Sequence, residues 1–463
     1  MSTQKPVSLA VSGKHHGKLQ AHLFPGDGKE AVAFALCGRA SRAECEILLV
    51  RDIVPVPYAS CFRNEHRVTW PGTALDPILI KALAEGLSVV KIHSHPNGYP
   101  WFSDTDDEAD ASLFPSMFGW LGDKGPMASL IMLPDGRLVG RAVSQTGIGE
   151  PLVRIRVAGD DFKYWSAAKE IVVPDHDVRT VQAFGEGTYS LLRTLKVGVV
   201  GCSGTGSIVI EQLARNSVGT LVLVDSDYLE SKNLNRILNS TAADAANRVD
   251  KPSVQARAIK AMGMQTEVAV HSYDLLDRRA LEDLSTCDVL FGCMDSIDGR
   301  HVLNKLATAY LIPYIDVGVR LDADMQGGIN SIWLAVHTLQ PGGSSLKSRR
   351  VYDQSDLDAA FLRRNPTEYE RLKKQGYVKN IDVDRPAVIS VNMQAAAMAV
   401  NEFLARIHGY RYQANGVFAV RKVALHDEDN NFVSEDGEPC TEFARGVGRG
   451  DQSPFLGLPI LGD

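Results

Sequence analysis

His93-Ser-His95-Pro96, followed by Ser103 and Asp106, sets two imidazoles and a carboxylate within fourteen residues. Neutral nitrogen and anionic oxygen donors in this combination suit zinc, and three protein ligands leave the fourth tetrahedral position open to water. The chemistry implied is metal-assisted hydrolysis. A His-x-His pair alone is a weak signal; Pro96, Ser103 and Asp106 in register with it carry the assignment. A second constellation lies downstream, where Gly201-Cys-Ser-Gly204-Thr-Gly206 supplies glycines that let backbone N–H groups approach a phosphate. That loop implies nucleotide binding.

Each constellation needs elements to position it. Val89-Val90-Lys91-Ile92-His93 reads as a buried strand, on which residues two apart share a face, so both imidazoles can reach one ion. Asp106 then arrives from the following segment, where Asp104, Asp107, Glu108 and Asp110 read as the exposed, acidic start of a helix. Downstream, Lys196-Val-Gly-Val-Val-Gly201 reads as a strand, and Gly201, Gly204 and Gly206 open an amphipathic helix. A second strand, Thr220-Leu-Val-Leu-Val-Asp225, ends in an acid placed to bind a ribose hydroxyl.

The spacing H-x-H-P-x6-S-x2-D resembles the signature of the JAMM (JAB/MPN-type) metallopeptidases and matches it at every defined position. The resemblance implies an N-terminal α/β metallopeptidase domain with zinc held by His93, His95 and Asp106. By the same resemblance Glu30, at the start of Lys29-Glu-Ala-Val-Ala-Phe-Ala-Leu-Cys-Gly38, is the general base for the attacking water, and Ser103 donates to the oxyanion. Glu44 and Glu46, beyond the turn at Gly38, are alternative bases.

After the second strand, Asp225-Ser-Asp227 and Asn233-Leu-Asn235-Arg236 resemble the D-x-D…N-L-N-R run of ubiquitin-activating enzymes and the ThiF/MoeB-type adenylyltransferases. Cys293-Met-Asp295-Ser-Ile-Asp298-Gly-Arg300, Asn304 and Ile312-Pro-Tyr-Ile-Asp316-Val-Gly318 are similar to later segments of the same family. The resemblance implies a C-terminal Rossmann-like domain that binds ATP with magnesium and adenylates the C-terminus of a ubiquitin-like or sulfur-carrier β-grasp protein. Asp225 and Asn233 would then lie in the nucleotide site, Asp295 would hold magnesium, and Arg236 and Lys251 would neutralise phosphate charge. Asp177-Val-Arg179, ahead of Phe184-Gly185, resembles the family's arginine that enters the partner subunit's site, which implies a homodimer.

Departures from the family pattern keep some roles open. The family's Pro-Lys is here Lys251-Pro252-Ser253, so Lys251 also reads as a salt-bridge residue. Where the family carries two C-x-x-C pairs for a structural zinc, this chain has Gly343-Ser344-Ser345-Leu-Lys-Ser348 and a lone Cys440, which argues against that zinc. Cys202, Cys287 and Cys293 fall in core strands or the nucleotide loop and are expected to be buried. Three routes beyond an adenylate stay open: direct transfer to a partner such as a conjugating-enzyme-like protein, a thioester on Cys440, or an oxyester on Ser345 or Ser348.

Composition bounds the rest. A chain of 463 residues implies two or three domains, and 44% hydrophobic with 23% charged residues is ordinary for a globular protein. A net charge of -7, without a dense Lys/Arg block, excludes an electrostatic nucleic-acid binder, and no apolar run is long enough to span a bilayer. Seven cysteines without a C-x-x-C pair read as reduced thiols, and the N-terminal residues lack a leader pattern, so a cytoplasmic location is expected. The expected divisions are a peptidase domain over 1–150, a connector carrying Arg179 over 151–185, an adenylation domain over 186–425 and a tail over 426–463 that docks onto a neighbour. Within them, 352–379 reads as a lid or partner-binding insert and 387–406 as a closing helix. The function expected is a bifunctional enzyme of ubiquitin-like protein modification; the alternatives are sulfur-carrier activation and a non-catalytic scaffold that binds a ubiquitin-like protein.

Overall fold

Short runs rich in Val, Ile, Leu and Ala, too short for long helices and buried on both faces in central strands such as Ser88–Ser94 and Val289–Gly292, build two sheets. The computed structural model describes residues 5–122, 125–145, 147–166, 171–324, 326–364, 388–427, 431–434 and 438–462. Contacts divide the chain into one unit of 1–169 with Thr308–Leu311 and 445–463, and a second unit of 170–307 with 312–444.

In the first unit the strands are β1 (Val7–Ser12), β2 (Val32–Ser41), β3 (Glu46–Pro55), a small hairpin β4 (Phe62–Arg63) and β5 (Val68–Thr69), β6 (Ser88–Ser94), β7 (Met127–Met132), β8 (Leu138–Ser144), β9 (Gly147–Pro151), β10 (Arg154–Ala158) and β11 (Phe162–Trp165). The main sheet runs β11-β10-β1-β3-β2-β6-β7-β8-β9. Helix α1 (Gly13–Leu23) follows β1, while α2 (Asp76–Glu85) and α3 (Asp104–Leu121) flank β6 in sequence. Phe34, Leu36 and Val89 of the sheet pack with Ile78, Leu79, Phe114, Met117 and Phe118 of α2 and α3 in one apolar core. β6 is buried along its whole length, antiparallel to β2 with Val32 opposite His93, and parallel to β7.

The structure draws the divisions differently from the sequence. The stretch expected to connect the domains splits: β10 pairs in parallel with β1 and carries β11 with it into the first sheet. The end of the chain, expected to dock onto a neighbour, joins the first unit, where Gly450 bridges Arg39 and Asp451 pairs with Arg42 at 2.8 Å. Gly38 permits this approach, because a Cβ there would collide with the Gly448 carbonyl oxygen.

The second unit opens with α4 (Val178–Thr194), then alternates β12 (Lys196–Val200), α5 (Gly204–Arg215), β13 (Thr220–Val224), α6 (Ala242–Ala246), α7 (Lys251–Met262), β14 (Glu267–His271), α8 (Arg278–Leu284), β15 (Val289–Gly292), α9 (Ile297–Ala309) and β16 (Tyr314–Ala323). Antiparallel strands β17 (Ile329–Leu339), β18 (Val420–Ala424) and β19 (Asn431–Ser434) complete the order β14-β13-β12-β15-β16-β17-β18-β19. The first five are parallel and need the intervening helices as crossovers. The order reverses between β12 and β15, which opens a crevice at their carboxyl ends where α/β folds bind nucleotides. The helix Ile389–Ile407 packs on α5, β16 and β17, as expected of a closing helix. The expected insert contains α10 (Gln354–Arg363), and its residues 365–379 lie outside the described residues. Among the described residues no helix is long and apolar enough to cross a membrane.

Candidate functional site

His93 and His95 leave β6 on one side of the sheet, and α3 brings Asp106 to them. His93 Nε2 lies 2.8 Å from Asp106 Oδ1, His95 Nε2 lies 3.4 Å from Asp106 Oδ2, and the two imidazole nitrogens are 3.1 Å apart. Tetrahedral zinc with bonds near 2.0–2.2 Å separates its ligand atoms by about 3.3–3.5 Å, so the three donors are of the right type and need open by only a few tenths of an ångström to hold that ion. Among the described residues this is the single cluster of three or more metal-competent side chains. The Tyr99 carbonyl lies 2.8 Å from His95 Nδ1, which fixes the proton there and leaves Nε2 free to ligate.

The S-x2-D spacing has a local cause. Ser103 is the N-cap of α3: its Oγ accepts from the Asp106 N–H at 3.2 Å, and the Ser103 N–H donates to Asp106 Oδ2 at 2.8 Å. This capping box starts the helix and aims the third ligand together. The Ser103 hydroxyl also donates to Asp106 Oδ2 at 2.8 Å.

Glu30 precedes β2 and is 7% exposed. Its N–H donates to the Asn64 carbonyl at 2.8 Å, and its carbonyl accepts from Arg63 Nε at 2.7 Å, so the β4–β5 hairpin grips it from one side. On the other, Ser94 exchanges bonds with Ala31, which locks the residue after Glu30 to the strand of the two histidines. Burial above all pushes the Glu30 carboxyl up to about 7, with the Asp106 charge adding and His95 opposing. The alternative bases lie elsewhere: Glu44 is exposed between β2 and β3, and Glu46 accepts from Ser41 at 2.6 Å.

One sequence expectation is corrected. Asp104, Asp107 and Glu108 are exposed, but Asp110 is 1% exposed and sits between Lys91 Nζ at 2.5 Å and Arg141 at 2.7 Å. Sequence reasoning missed Lys91 and Arg141, although a lysine inside the apolar run Val89–Ile92 was a signal that a buried charge needed a partner.

In the second unit, Gly201 has φ of 91° and Gly206 packs so tightly on it that a Cβ would strike the Gly201 carbonyl oxygen. No side chain caps α5, which leaves its N-terminus of the kind that can take an anion. Asp225 braces the loop, accepting from the Cys202 N–H at 2.7 Å and the Asp227 N–H at 2.9 Å; burial raises its pKa, against the nearby Lys251 charge. Arg236 lies along Gly204, and its guanidinium donates to the Lys232 carbonyl at 2.9 Å. Lys251 begins α7, buried, and pairs with Asp227 at 2.7 Å, which is the salt bridge the sequence left open. Asn233 is buried and accepts from the Glu230 N–H at 3.0 Å, bracing its own turn.

Asp295 is exposed beyond the end of β15, and Arg179 is exposed on α4 with Gln182 at 3.2 Å. Ser345, 1% exposed, and Ser348 bond each other's backbone N–H at 3.1 and 2.8 Å. Cys440 is buried and donates its N–H to the Gly343 carbonyl at 3.0 Å, so the two segments that would carry the family's cysteine pairs do meet; Lys347 and Glu442 join them at 2.6 Å. Cys202 and Cys287 are buried and Cys293 half-buried, and burial raises the Cys202 and Cys293 thiols.

The sequence model of the ThiF family matches residues 176–433, more than half of the chain. The chain belongs to the ThiF family. Its second unit is thus a Rossmann-like adenylation domain of the ThiF/MoeB type. Similar curated proteins include ubiquitin-like modifier-activating enzyme 5 of Xenopus laevis, 26% identical over 147 residues, and of Gallus gallus, 30% identical over 144 residues; each match covers 29% of this chain and 36% of the relative. The adenylyltransferase and sulfurtransferase MOCS3 of Drosophila ananassae is 27% identical over 172 residues, 37% of this chain and 35% of that protein. The chain therefore spans about a third of the length of the curated relatives it matches. Among solved structures, E. coli MccB with ATP is 18% identical over 58% of this chain and 74% of that one, with a TM-score of 0.43.

Proposed function

We propose that this ThiF-family chain is a bifunctional enzyme that acts twice on the C-terminal tail of one small β-grasp protein of the ubiquitin-like class. Its second unit would adenylate that terminus with ATP, and its first unit would be a JAMM-type zinc peptidase that exposes the terminus or releases it from conjugates. The observation that carries the reading is the convergence of His93, His95 and Asp106 beside the buried Glu30, on the same chain as a ThiF-type nucleotide loop.

In adenylation, a carboxylate oxygen of the substrate attacks the α-phosphorus of ATP, the bond to the bridging oxygen breaks and pyrophosphate leaves. The α5 N-terminus and the Gly201–Gly206 backbone cradle the phosphates, while Arg236 and Lys251 offset charge that grows on the leaving group. Asp225 would orient the ribose and Asp295 would hold magnesium, which screens the triphosphate when bound. Arg179, exposed on α4, would reach the site of a second protomer, which makes the working form a homodimer. The mutual hydrogen bonds of Ser345 and Ser348 and the burial of Cys440 favour direct transfer from the adenylate to a partner, such as a conjugating-enzyme-like protein.

In hydrolysis, His93, His95 and Asp106 would hold zinc, which when bound would supply Lewis acidity and lower the pKa of water. Glu30 accepts the proton of the attacking water and returns it to the leaving amine, and Ser103 turns its hydroxyl from Asp106 Oδ2 to the oxygen that gains charge. The three ligand atoms lie close enough for one ion, and Glu30 is buried beside them, which supports the hydrolytic reading.

The test is ATP–pyrophosphate exchange and tail cleavage measured with one β-grasp protein. His95→Ala should abolish cleavage and zinc binding while exchange persists; joint loss would defeat the two-site reading. Absence of both exchange and zinc in the wild-type chain would favour the scaffold. A C-terminal thiocarboxylate on the product, instead of an amide conjugate, would favour sulfur-carrier chemistry.

A further inference from the structure

We propose that Lys91, Asp110 and Arg141 form a buried clamp that fixes α3 on β6 and so sets the affinity of the three-ligand site for its metal; this rests on the zinc reading above. On β6, Lys91 and His93 are two residues apart and share a face, about 6.6 Å along the strand. On α3, Asp106 and Asp110 are one turn apart and share a face, about 6 Å along the helix. The two spacings match. Running antiparallel, the elements form two rungs: His93 with Asp106 at 2.8 Å, and Lys91 with Asp110 at 2.5 Å. The second rung needs no metal, so it holds the register in which the first can close.

Arg141 on β8 adds three further contacts along the first turns of the helix and at its start. It bonds Asp110 at 2.7 Å and Asp107 at 2.5 Å, and its guanidinium stacks 3.8 Å over the ring of Phe102, the residue before the Ser103 cap. Phe102 in turn sits beside His93, with ring centroids 6.4 Å apart. Lys91 is 2% exposed and the Asp110 side chain has no exposure, so these charges are not a solvated surface pair. An apolar pair of similar volume would pack the same space without loss of stability. What it would lose is direction: a Lys–Asp contact fixes two atoms, whereas methylenes slide. We therefore assign Lys91, Asp110 and Arg141 as positioning residues.

The test separates stability from metal binding in the full chain. Lys91→Met leaves Asp110 buried with one cation fewer, and should lower both thermal stability and zinc affinity, the latter read by competition with a chromophoric chelator. The double variant Lys91→Met/Asp110→Met removes the half-paired carboxylate while Arg141 keeps Asp107, and should recover much of the thermal stability, yet still bind zinc about tenfold or more weakly, the range seen when groups behind metal ligands are removed. Cobalt substituted for zinc should show a shifted or weakened visible absorption band in the double variant, which a purely structural role would leave unchanged. Arg141→Gln should give a smaller loss in the same direction. Wild-type zinc affinity and cobalt spectrum in the double variant would overturn the clamp. If the wild-type chain itself takes up no zinc, the metal reading falls first, and the clamp with it.

Discussion

The two candidate sites solve opposite problems. In the first unit three side chains converge within 2.8–3.4 Å, and each is aimed by a backbone feature: the strand pleat for His93 and His95, a capping box for Asp106. In the second, the groups assigned to ATP are spread along strand ends, and several already have protein partners: Lys251 with Asp227, Arg236 with the Lys232 carbonyl, Asn233 with Glu230. The difference follows from the ligands. A metal ion imposes bond lengths near 2 Å and accepts little error, so its site is built rigid. A triphosphate is long and flexible, and it is met by a backbone cradle and by cations that can exchange one partner for another.

The contrast is best broken at its most constrained atoms. Asp106→Ala removes one of three ligands and the helix-start acceptor together; zinc content and tail cleavage should fall below detection, while pyrophosphate exchange stays within about twofold of wild type. Exchange that collapses in parallel would mean that the sites are not separable. Next in size is Gly206→Ala, whose added Cβ strikes the Gly201 carbonyl oxygen and displaces the loop. Exchange should drop about a hundredfold, as expected for a misplaced reacting group, with zinc content unchanged. Normal exchange in this variant would show that the loop does not hold the phosphates.

Arg179→Ala should be of similar or smaller effect, about a hundredfold or less in kcat for adenylation, the scale of one charge-stabilising donor lost. Mixed protomers make this sharper. An Arg179→Ala chain combined with an Asp295→Ala chain should regain part of the exchange that neither shows alone, because one protomer would lend its arginine to the other's intact site. No recovery in mixtures shown to contain heterodimers would place Arg179 in its own site or in none.

How far the sequence reveals each region depends on whether its causes are local. Ser103 and Asp106 were legible because an N-cap and its N3 partner must stand three apart, and His93 and His95 because a strand repeats every two residues. The glycine loop was legible for the same reason: close backbone approach excludes side chains at fixed positions. Asp110 was misjudged because its partners, Lys91 and Arg141, come from strands whose adjacency no local pattern encodes. The pairing of β10 with β1 and the return of Gly450 to Arg39 are longer-range still, which is why the divisions at 150 and 426 shifted. Lys251 illustrates a third case, in which the residue was found and both of its readings named, but the choice of Asp227 as partner needed the fold.

The smallest expected effect falls on Ser103, where a fold role and a chemical role share one hydroxyl. Ser103→Ala deletes the acceptor for the Asp106 N–H and the donor to Asp106 Oδ2, and loss of such a cap costs about 1 kcal/mol of stability. Were capping its whole contribution, Ser103→Gly, which caps nearly as well and adds no charge beside Asp106, would restore both the melting temperature and cleavage. If the hydroxyl also serves the developing oxyanion, Ser103→Gly should restore the melting temperature alone, because glycine carries no side-chain donor. Ser103→Thr keeps both abilities and should recover both readouts. The discriminating quantity is kcat for cleavage at saturating substrate, compared across the three variants after zinc content has been equalised. Recovery of kcat in Ser103→Gly would reduce Ser103 to a helix cap and leave Glu30 to work without an aimed side-chain donor beside it.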